Sequence, residues 1–130
     1  MKKILFVIPT MRMGGAEQSL VSLLNSIDLN IYEIDVLLFE KNGELLERIP
    51  EKINLIEADR ITRAMTLEFR YYFKDLIKEH HYFTAVVRTF MLINSKLEEL
   101  IGKKIVFNWN IAKHFTRRLS KEYDVAIGYL

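Results

Sequence analysis

Four consecutive residues near the amino terminus have the types and spacing to bind a charged ligand: Gly14, Gly15, Ala16 and Glu17, called here the GGAE tetrad. They stand between an apolar run over residues 3–9 and a stretch whose apolar residues have helical spacing. Glycine lacks a Cβ atom, so Gly14 and Gly15 permit positive φ angles and let a ligand approach the backbone closely. A helix that starts here points unpaired N–H groups and its positive dipole end at the loop, which suits a phosphate.

Each part of the tetrad also has a purely structural interpretation. The two glycines are compatible with a plain strand-to-helix turn, and geometry alone favours neither view. Glu17 either interacts with the dipole from the first helical turn or points its carboxylate at a bound hydroxyl group. The dinucleotide fingerprint G-x-G-x-x-G is absent, and no Gly-Lys-Ser/Thr of a P-loop follows.

Alternating strands and helices are predicted to position the tetrad. Short runs rich in apolar and β-branched residues predict four strands, over residues 3–9, 32–39, 53–57 and 123–130. A helix from Ala16 follows the first strand, and one or two helical turns end at Pro50, after a turn at Asn42-Gly43. The order predicts an α/β fold with a parallel sheet and helices on both faces, in which loops at the carboxyl ends of the strands bind ligands.

The middle of the chain, residues 60–120, has apolar residues at helical spacing. One predicted helical face comprises Phe69, Tyr72, Phe73, Leu76 and Ile77. A second predicted face comprises Val86, Phe90, Ile93, Leu97 and Leu100, whose spacings alternate between four and three residues. Breaks are predicted near His80-His81 and near Gly102. Because the chain ends in or just after an apolar strand with no following loop, we expect it to be a fragment of a longer protein.

Composition excludes several classes of site. The 130 residues include no cysteine, which removes disulfides, zinc fingers, iron–sulfur clusters and cysteine nucleophiles. Adjacent histidines on a helix do not face each other, so His80 and His81 are not expected to bind a metal, and His114 stands alone. No apolar stretch reaches the roughly 18 residues of a membrane-spanning helix, and the β-branched start is interpreted as a strand rather than a signal peptide.

The net charge of +2 is unevenly distributed. Residues 60–119 hold twelve Lys/Arg and five Asp/Glu, a balance of +7, and the remainder has a balance of −5. Arg63, Arg70 and Lys74 therefore form either a solvated helical face or a membrane-surface site beside aromatic residues. Nucleic-acid binding is disfavoured because no helix-turn-helix, RRM or zinc-finger pattern accompanies these residues.

Three pieces of the sequence together resemble GT-B glycosyltransferases, in particular the family-four group of retaining enzymes. The opening KILFVIPTMRMGGAEQSLVSLL resembles their first strand, glycine-rich loop and leucine-rich helix. EIDVLLFEKNGELLERIPEKINLI resembles their second strand, G-x-L turn and third strand, and YDVAIGYL resembles their fourth strand. The likeness covers most of residues 1–57 and 121–130 and is weak in the helical middle.

The resemblance implies that residues 1–130 form part of an N-terminal, acceptor-side Rossmann-like domain of a cytoplasmic, peripherally membrane-associated enzyme. Such an enzyme transfers a sugar from a nucleotide-sugar donor to a glycan or lipid-linked acceptor, without metal or cofactor. The resemblance also implies that Gly14, Gly15, Ala16 and Glu17 lie near the donor's diphosphate and the reacting sugar. The family's two glutamates eight positions apart, in its donor-binding domain, are absent, so the chain by itself is expected to be inactive. A non-catalytic Rossmann-type module that binds a phosphorylated ligand is the alternative, and a membrane-surface adaptor a weaker one.

Overall fold

A computed structural model describes residues 1–66, 82–102 and 118–129. Their helices and strands follow in the order β1 (Lys2–Ile8), α1 (Gly15–Ser26), β2 (Tyr32–Leu38), a short 3-10 helix (Leu46–Arg48), β3 (Asn54–Glu57), α2 (Arg60–Thr66), α3 (Tyr82–Ile101) and β4 (Val125–Gly128). The four predicted strands and the helix after the first strand are therefore confirmed, with bounds shifted by at most two residues.

The chain divides into two compact units. The first comprises Met1–Ala58 and Leu119–Leu130 and holds the four strands, and the second is Asp59–Arg118. The second unit coincides with the predicted helical region and includes α2 and α3. The helix α3 ends at Ile101, directly before Gly102 at φ +70°, where the sequence predicts a break. The predicted face of residues 69–77 lies outside the described residues.

The four strands form an all-parallel sheet in the order β3-β2-β1-β4. Residues in the middle of the sheet are in register, so Leu5 of β1 lies beside Asp35 of β2 and Ala126 of β4. The α/β prediction with a parallel sheet is thus confirmed. The chain leaves β1 toward β2 on one side and returns to β4 on the other. The boundary between β1 and β4 is therefore a topological switch point, where doubly wound sheets open a crevice for ligands.

The core lies between one face of the sheet and α1. Alternate strand residues point to this face because side chains alternate across a pleated strand. The buried set includes Phe6, Ile8, Ile34, Val36 and Leu38 from the strands and Leu20 and Leu24 from α1. Full burial of such side chains stabilises the fold by roughly 1.5–3 kcal/mol each, so the α1 start is fixed to the sheet by its own apolar face.

Two elements are shorter than the sequence predicts by at least three residues, and hydrogen bonds explain one of them. The fourth strand spans Val125–Gly128 rather than residues 123–130. The strand ladder ends at Asp124, because the side chain of Asp124 takes part in the pairing with Lys3. The Lys3 N–H donates to Asp124 Oδ2 at 2.7 Å. The Asp124 N–H donates to the Lys3 carbonyl at 2.9 Å. The helical turns before Pro50 are confined to the 3-10 helix Leu46–Arg48.

Candidate functional site

The loops that follow β1 and β2 are joined at the carboxyl edge of the sheet. The Met11 N–H donates to the Asn42 carbonyl at 2.8 Å, and the Leu45 N–H donates to the Met11 carbonyl at 3.0 Å. The Glu40 N–H donates to the Pro9 carbonyl at 2.9 Å. Met11 and Leu45 are fully buried. Backbone bonds on both sides of a buried methionine hold the first loop in one conformation before any ligand arrives.

Gly43 makes this contact between the two loops possible. Its φ of +130° lies outside the range that residues with a side chain normally adopt. A Cβ atom on Gly43 would lie 2.0 Å from the Met11 carbonyl carbon and 2.3 Å from the Arg12 nitrogen. The sequence predicts the turn at Asn42-Gly43 but contains no local signal for the backbone that packs against it.

The GGAE tetrad forms the junction between the first loop and α1. Gly14 is the N-cap residue with φ −153° and ψ 170°, and Gly15 is the first helical residue. Neither residue uses the positive φ that glycine permits, and the positive-φ glycines of the described chain are Gly43 and Gly102. An extended residue followed by a helix makes the turn with ordinary backbone angles.

The two glycines of the tetrad have different surroundings. A Cβ atom on Gly14 would lie 2.3 Å from Glu17 Oε2, so the Glu17 carboxylate occupies the space that a side chain at residue 14 would fill. Glu17 therefore folds back over the start of α1, where the helix dipole stabilises a negative charge. No atom lies within 4 Å of the position that a Cβ on Gly15 would take. Gly15 borders open space at the helix start.

The start of α1 offers hydrogen-bond donors to an anion. The Gln18 N–H donates to the Gly14 carbonyl at 3.0 Å, which is the first bond of the helix. The N–H groups of Gly15, Ala16 and Glu17 come before it and have no acceptor within the helix. The structure thus brings the four predicted residues together at the carboxyl edge of β1, beside the switch point. Phosphate or diphosphate oxygens are the chemical groups that such donors suit.

A polar cluster that the sequence does not predict lies on the opposite face of the sheet from α1. Asp35 of β2 has a side chain that is 2% exposed. It accepts hydrogen bonds from Lys121 Nζ at 2.8 Å and from the Tyr123 hydroxyl at 2.5 Å. Lys121 Nζ also lies 2.9 Å from Glu33 Oε1. An aspartate inside an apolar strand is the one local sign of this cluster in the sequence. Its partners could not be predicted, because they are 86 and 88 residues away in the chain.

The cluster keeps its charges because its members bond to one another. Burial by itself would raise the pKa of Asp35, but the hydrogen bonds from Lys121 and Tyr123 lower it below the usual value of 3.8. The hydrogen bond to Asp35 raises the pKa of Lys121 to about 12. Burial and the hydrogen bond to Asp35 raise the pKa of Tyr123 to about 12. The cluster is a satisfied ion pair, and it ties the segment before β4 to the centre of the sheet.

A cavity of about 440 Å³ adjoins this cluster and is lined in part by Asp35, Lys52, Asn54 and Lys121. It lies toward the amino ends of β2 and β3, at the edge of the sheet opposite the GGAE tetrad. Parallel sheets bind ligands at the carboxyl edge, and the charges of Asp35 and Lys121 are already paired. The tetrad is therefore the better candidate site.

The membrane-surface candidates belong to the second unit of the chain. Arg63 lies in α2 and is half-buried, with its Nε shielded from solvent. Arg70 and Lys74, like His80, His81 and His114, lie outside the described residues. Within the described ranges, no group of three or more His, Cys, Asp or Glu could hold a metal ion. No helix among them is long and apolar enough to cross a membrane.

Comparison of the chain with models of known protein families, with curated proteins and with solved structures finds no match. The likeness to GT-B glycosyltransferases is therefore a prediction from the motifs of this sequence. The parallel sheet and the geometry of the GGAE tetrad are the observations on which a functional hypothesis can be built.

Proposed function

We propose that the chain is the acceptor-side part of a GT-B glycosyltransferase, in which the GGAE tetrad receives the diphosphate of a nucleotide-sugar donor. One observation carries the proposal. Three helix N–H groups without helical acceptors, on Gly15, Ala16 and Glu17, lie at the carboxyl edge of a parallel sheet, and the space that a side chain on Gly15 would fill is open. Phosphate groups of nucleotides are bound by this combination of helix start and switch point in doubly wound folds.

The same donors have a role in the chemistry of sugar transfer. When the bond between the sugar and the diphosphate breaks, negative charge develops on the leaving oxygen. N–H groups already aimed at that position stabilise the charge without reorganising. The Met11 and Leu45 hydrogen bonds and the close approach of Gly43 keep the loop before the tetrad in place. To Glu17, whose carboxylate folds over Gly14, we assign the role of accepting a hydrogen bond from a sugar hydroxyl.

Ligand binding by the chain and two α1 variants tests this function. Calorimetric titrations use UDP- and GDP-sugars and the matching nucleoside diphosphates. Gly15→Val fills the open space with a β-branched side chain at an ordinary backbone conformation, so the fold is kept while the ligand is displaced. We expect at least a tenfold loss of affinity, about 1.4 kcal/mol, for sugar and diphosphate forms alike.

Ser19→Val is the matched control, because it adds the same side chain to an exposed position one turn further along α1. It is expected to bind like the unmodified chain. Equal losses in both variants, or no binding of any nucleoside diphosphate, would contradict the proposal. Binding of diphosphates with no contribution from the sugar would favour the non-catalytic module.

A further inference from the structure

The helix α3 has one buried face and one exposed apolar face. One is buried within its unit and includes Thr84, Ala85 and Met91. The other, called here the α3 seam, lies on the opposite side of the helix and is between 48% and 82% exposed at each of its members, Phe83, Val86, Phe90, Ile93, Leu97 and Leu100. Monomeric proteins rarely expose an apolar surface of this extent, and those that do usually bind something with it.

The spacing of the α3 seam specifies the shape of its partner. Its members recur at alternating intervals of three and four residues along a helix of 20 residues. This is the pattern by which one helix packs into another along a shared stripe, as in coiled coils. At 1.5 Å per residue the helix is about 30 Å long, enough for six successive contacts with a second helix. The occupant that fits the stripe is therefore a helix with the same spacing.

The size of the α3 seam matches that of a stable interface. Exposed fractions of 48% or more leave on the order of 100 Å² accessible on each of these side chains, or ~600 Å² for the seam. Two such surfaces would bury ~1,200 Å² in total, which lies at the lower end of the range for specific protein interfaces. The area is sufficient for a pair of chains that exchange with monomers.

Charges along α3 favour a second helix over a membrane surface. The positions that flank the seam in a paired helix are Tyr82, Val87, Thr89, Asn94, Lys96 and Ile101. Lys96 is the one charged residue among them, so two copies would bring no like charges together. Residues 82–101 as a whole hold two cationic and two anionic residues. A helix that lies on an anionic membrane normally has a strongly cationic flank, which α3 lacks.

We propose that the α3 seam is the interface of a homodimer, in which α3 packs antiparallel against α3 of a second copy. The intervals of the seam read the same from either end. An antiparallel pair therefore sets Phe83 opposite Leu100, Val86 opposite Leu97 and Phe90 opposite Ile93 of the other copy. Opposed helix dipoles also favour this direction. Such a two-fold interface is isologous and closes after two copies.

The mass of the full chain in solution tests the interface, by light scattering from about 1 μM to about 100 μM. We expect twice the chain mass of 15.4 kDa at the upper concentrations. Leu97→Glu should return the mass to 15.4 kDa, because it places a charge in the seam. The matched control is Val125→Glu on β4, since Val125 and Leu97 are both 48% exposed. It should remain dimeric.

Three results would contradict the homodimer, and each assigns the α3 seam a different role. A dimer that Val125→Glu dissociates and Leu97→Glu does not would assign the contact to the edge of β4. A monomer at all concentrations whose melting temperature falls in Leu97→Glu would show that the seam is covered within the chain. A monomer that binds phosphatidylcholine vesicles would assign it to a membrane. Each of these overturns the proposal.

Single cysteines give a second measurement if Leu97→Glu fails to fold, because the chain has no cysteine of its own. In the antiparallel pair, residue 93 lies about 5 Å along the axis from residue 93 of the other copy, and residue 100 about 26 Å from its equivalent. Ile93→Cys should therefore crosslink on mild oxidation and Leu100→Cys should not. Crosslinking at neither position, or equally at both, contradicts the antiparallel pairing.

Discussion

Gly43 is the residue on which the shape of the candidate site depends most directly. Its positive φ and the contact of its Cα with the Met11 backbone leave no space for a side chain. We expect Gly43→Ala to reduce the free energy of unfolding by about 2–4 kcal/mol, because it adds backbone strain and separates the two loops. Gly15→Ala is the control, since nothing lies near that position, and it should unfold like the unmodified chain in urea. Equal stability of the two variants would show that the loops are not held by this contact.

The substitution Glu17→Gln distinguishes a structural role of Glu17 from a role in ligand binding. Glu17→Gln keeps the shape of the side chain and removes the charge that interacts with the α1 dipole, which contributes about 0.3–1 kcal/mol. If the carboxylate binds a sugar hydroxyl, the variant should lose about 1.5–3 kcal/mol of binding to a nucleotide sugar, as expected for a hydrogen bond to a charged group. Binding of the matching nucleoside diphosphate should not weaken. Titrations with both ligands, alongside a thermal melt, separate these effects, and an equal loss for both ligands would assign Glu17 to structure alone.

The strands and helices of the first unit could be predicted because each is encoded locally. Apolar runs of seven or eight residues give β1 and β2, and helical spacing from Leu20 to Leu24 gives α1. The backbone angles at Gly14 and Gly15 could not be predicted, because a strand-to-helix turn has more than one geometry. What could not be predicted are contacts between distant residues: Gly43 with Met11, and Asp35 with Lys121. The spacing of the α3 seam could also be predicted from local sequence. The solvent exposure of its side chains could not, because it depends on what packs around the helix.

The segment before β4 is attached to β2 by the ion pair of Lys121 and Asp35, which makes the attachment testable. Lys121→Met leaves a buried carboxylate with fewer hydrogen bonds, and we expect a loss of about 1–3 kcal/mol in the free energy of unfolding at neutral pH. Lys52→Met, an exposed lysine at the adjoining cavity, is the control and should change stability little.

The stability that Lys121 confers should depend on pH in a defined way. The pKa of Asp35 is lowered by folding, so its contribution is present above its usual value of 3.8 and is lost as the pH falls below it. The pKa of Lys121 is raised to about 12, so its contribution is present below 10.5 and is lost as the pH rises toward 12. The difference in urea midpoint between the chain and Lys121→Met should therefore be constant near neutrality and shrink at both extremes. A constant difference across the whole range would contradict the ion pair.

The molecule as a whole combines two units with different surfaces. The first holds the parallel sheet and the GGAE tetrad, and the second holds the cationic segment and the α3 seam. We interpret the first as the ligand-binding part and the second as the part that contacts a second copy. Because the tetrad and the seam belong to different units, Gly15→Val should leave the dimer intact, and Leu97→Glu should leave nucleotide binding intact. Loss of both properties in either variant would contradict this division.

The most direct test of the proposed site is an NMR titration of the ¹⁵N-labelled chain with a UDP- or GDP-sugar. A diphosphate at the start of α1 would accept hydrogen bonds from the N–H groups of Gly15, Ala16 and Glu17, and N–H shifts respond strongly to such bonds. We predict that these three amides shift most, followed by neighbours in residues 10–14, and that the Lys52 amide at the opposite edge does not move. Shifts centred on the Lys52 cavity, or none at saturating ligand, would contradict the assignment of the GGAE tetrad as the donor site.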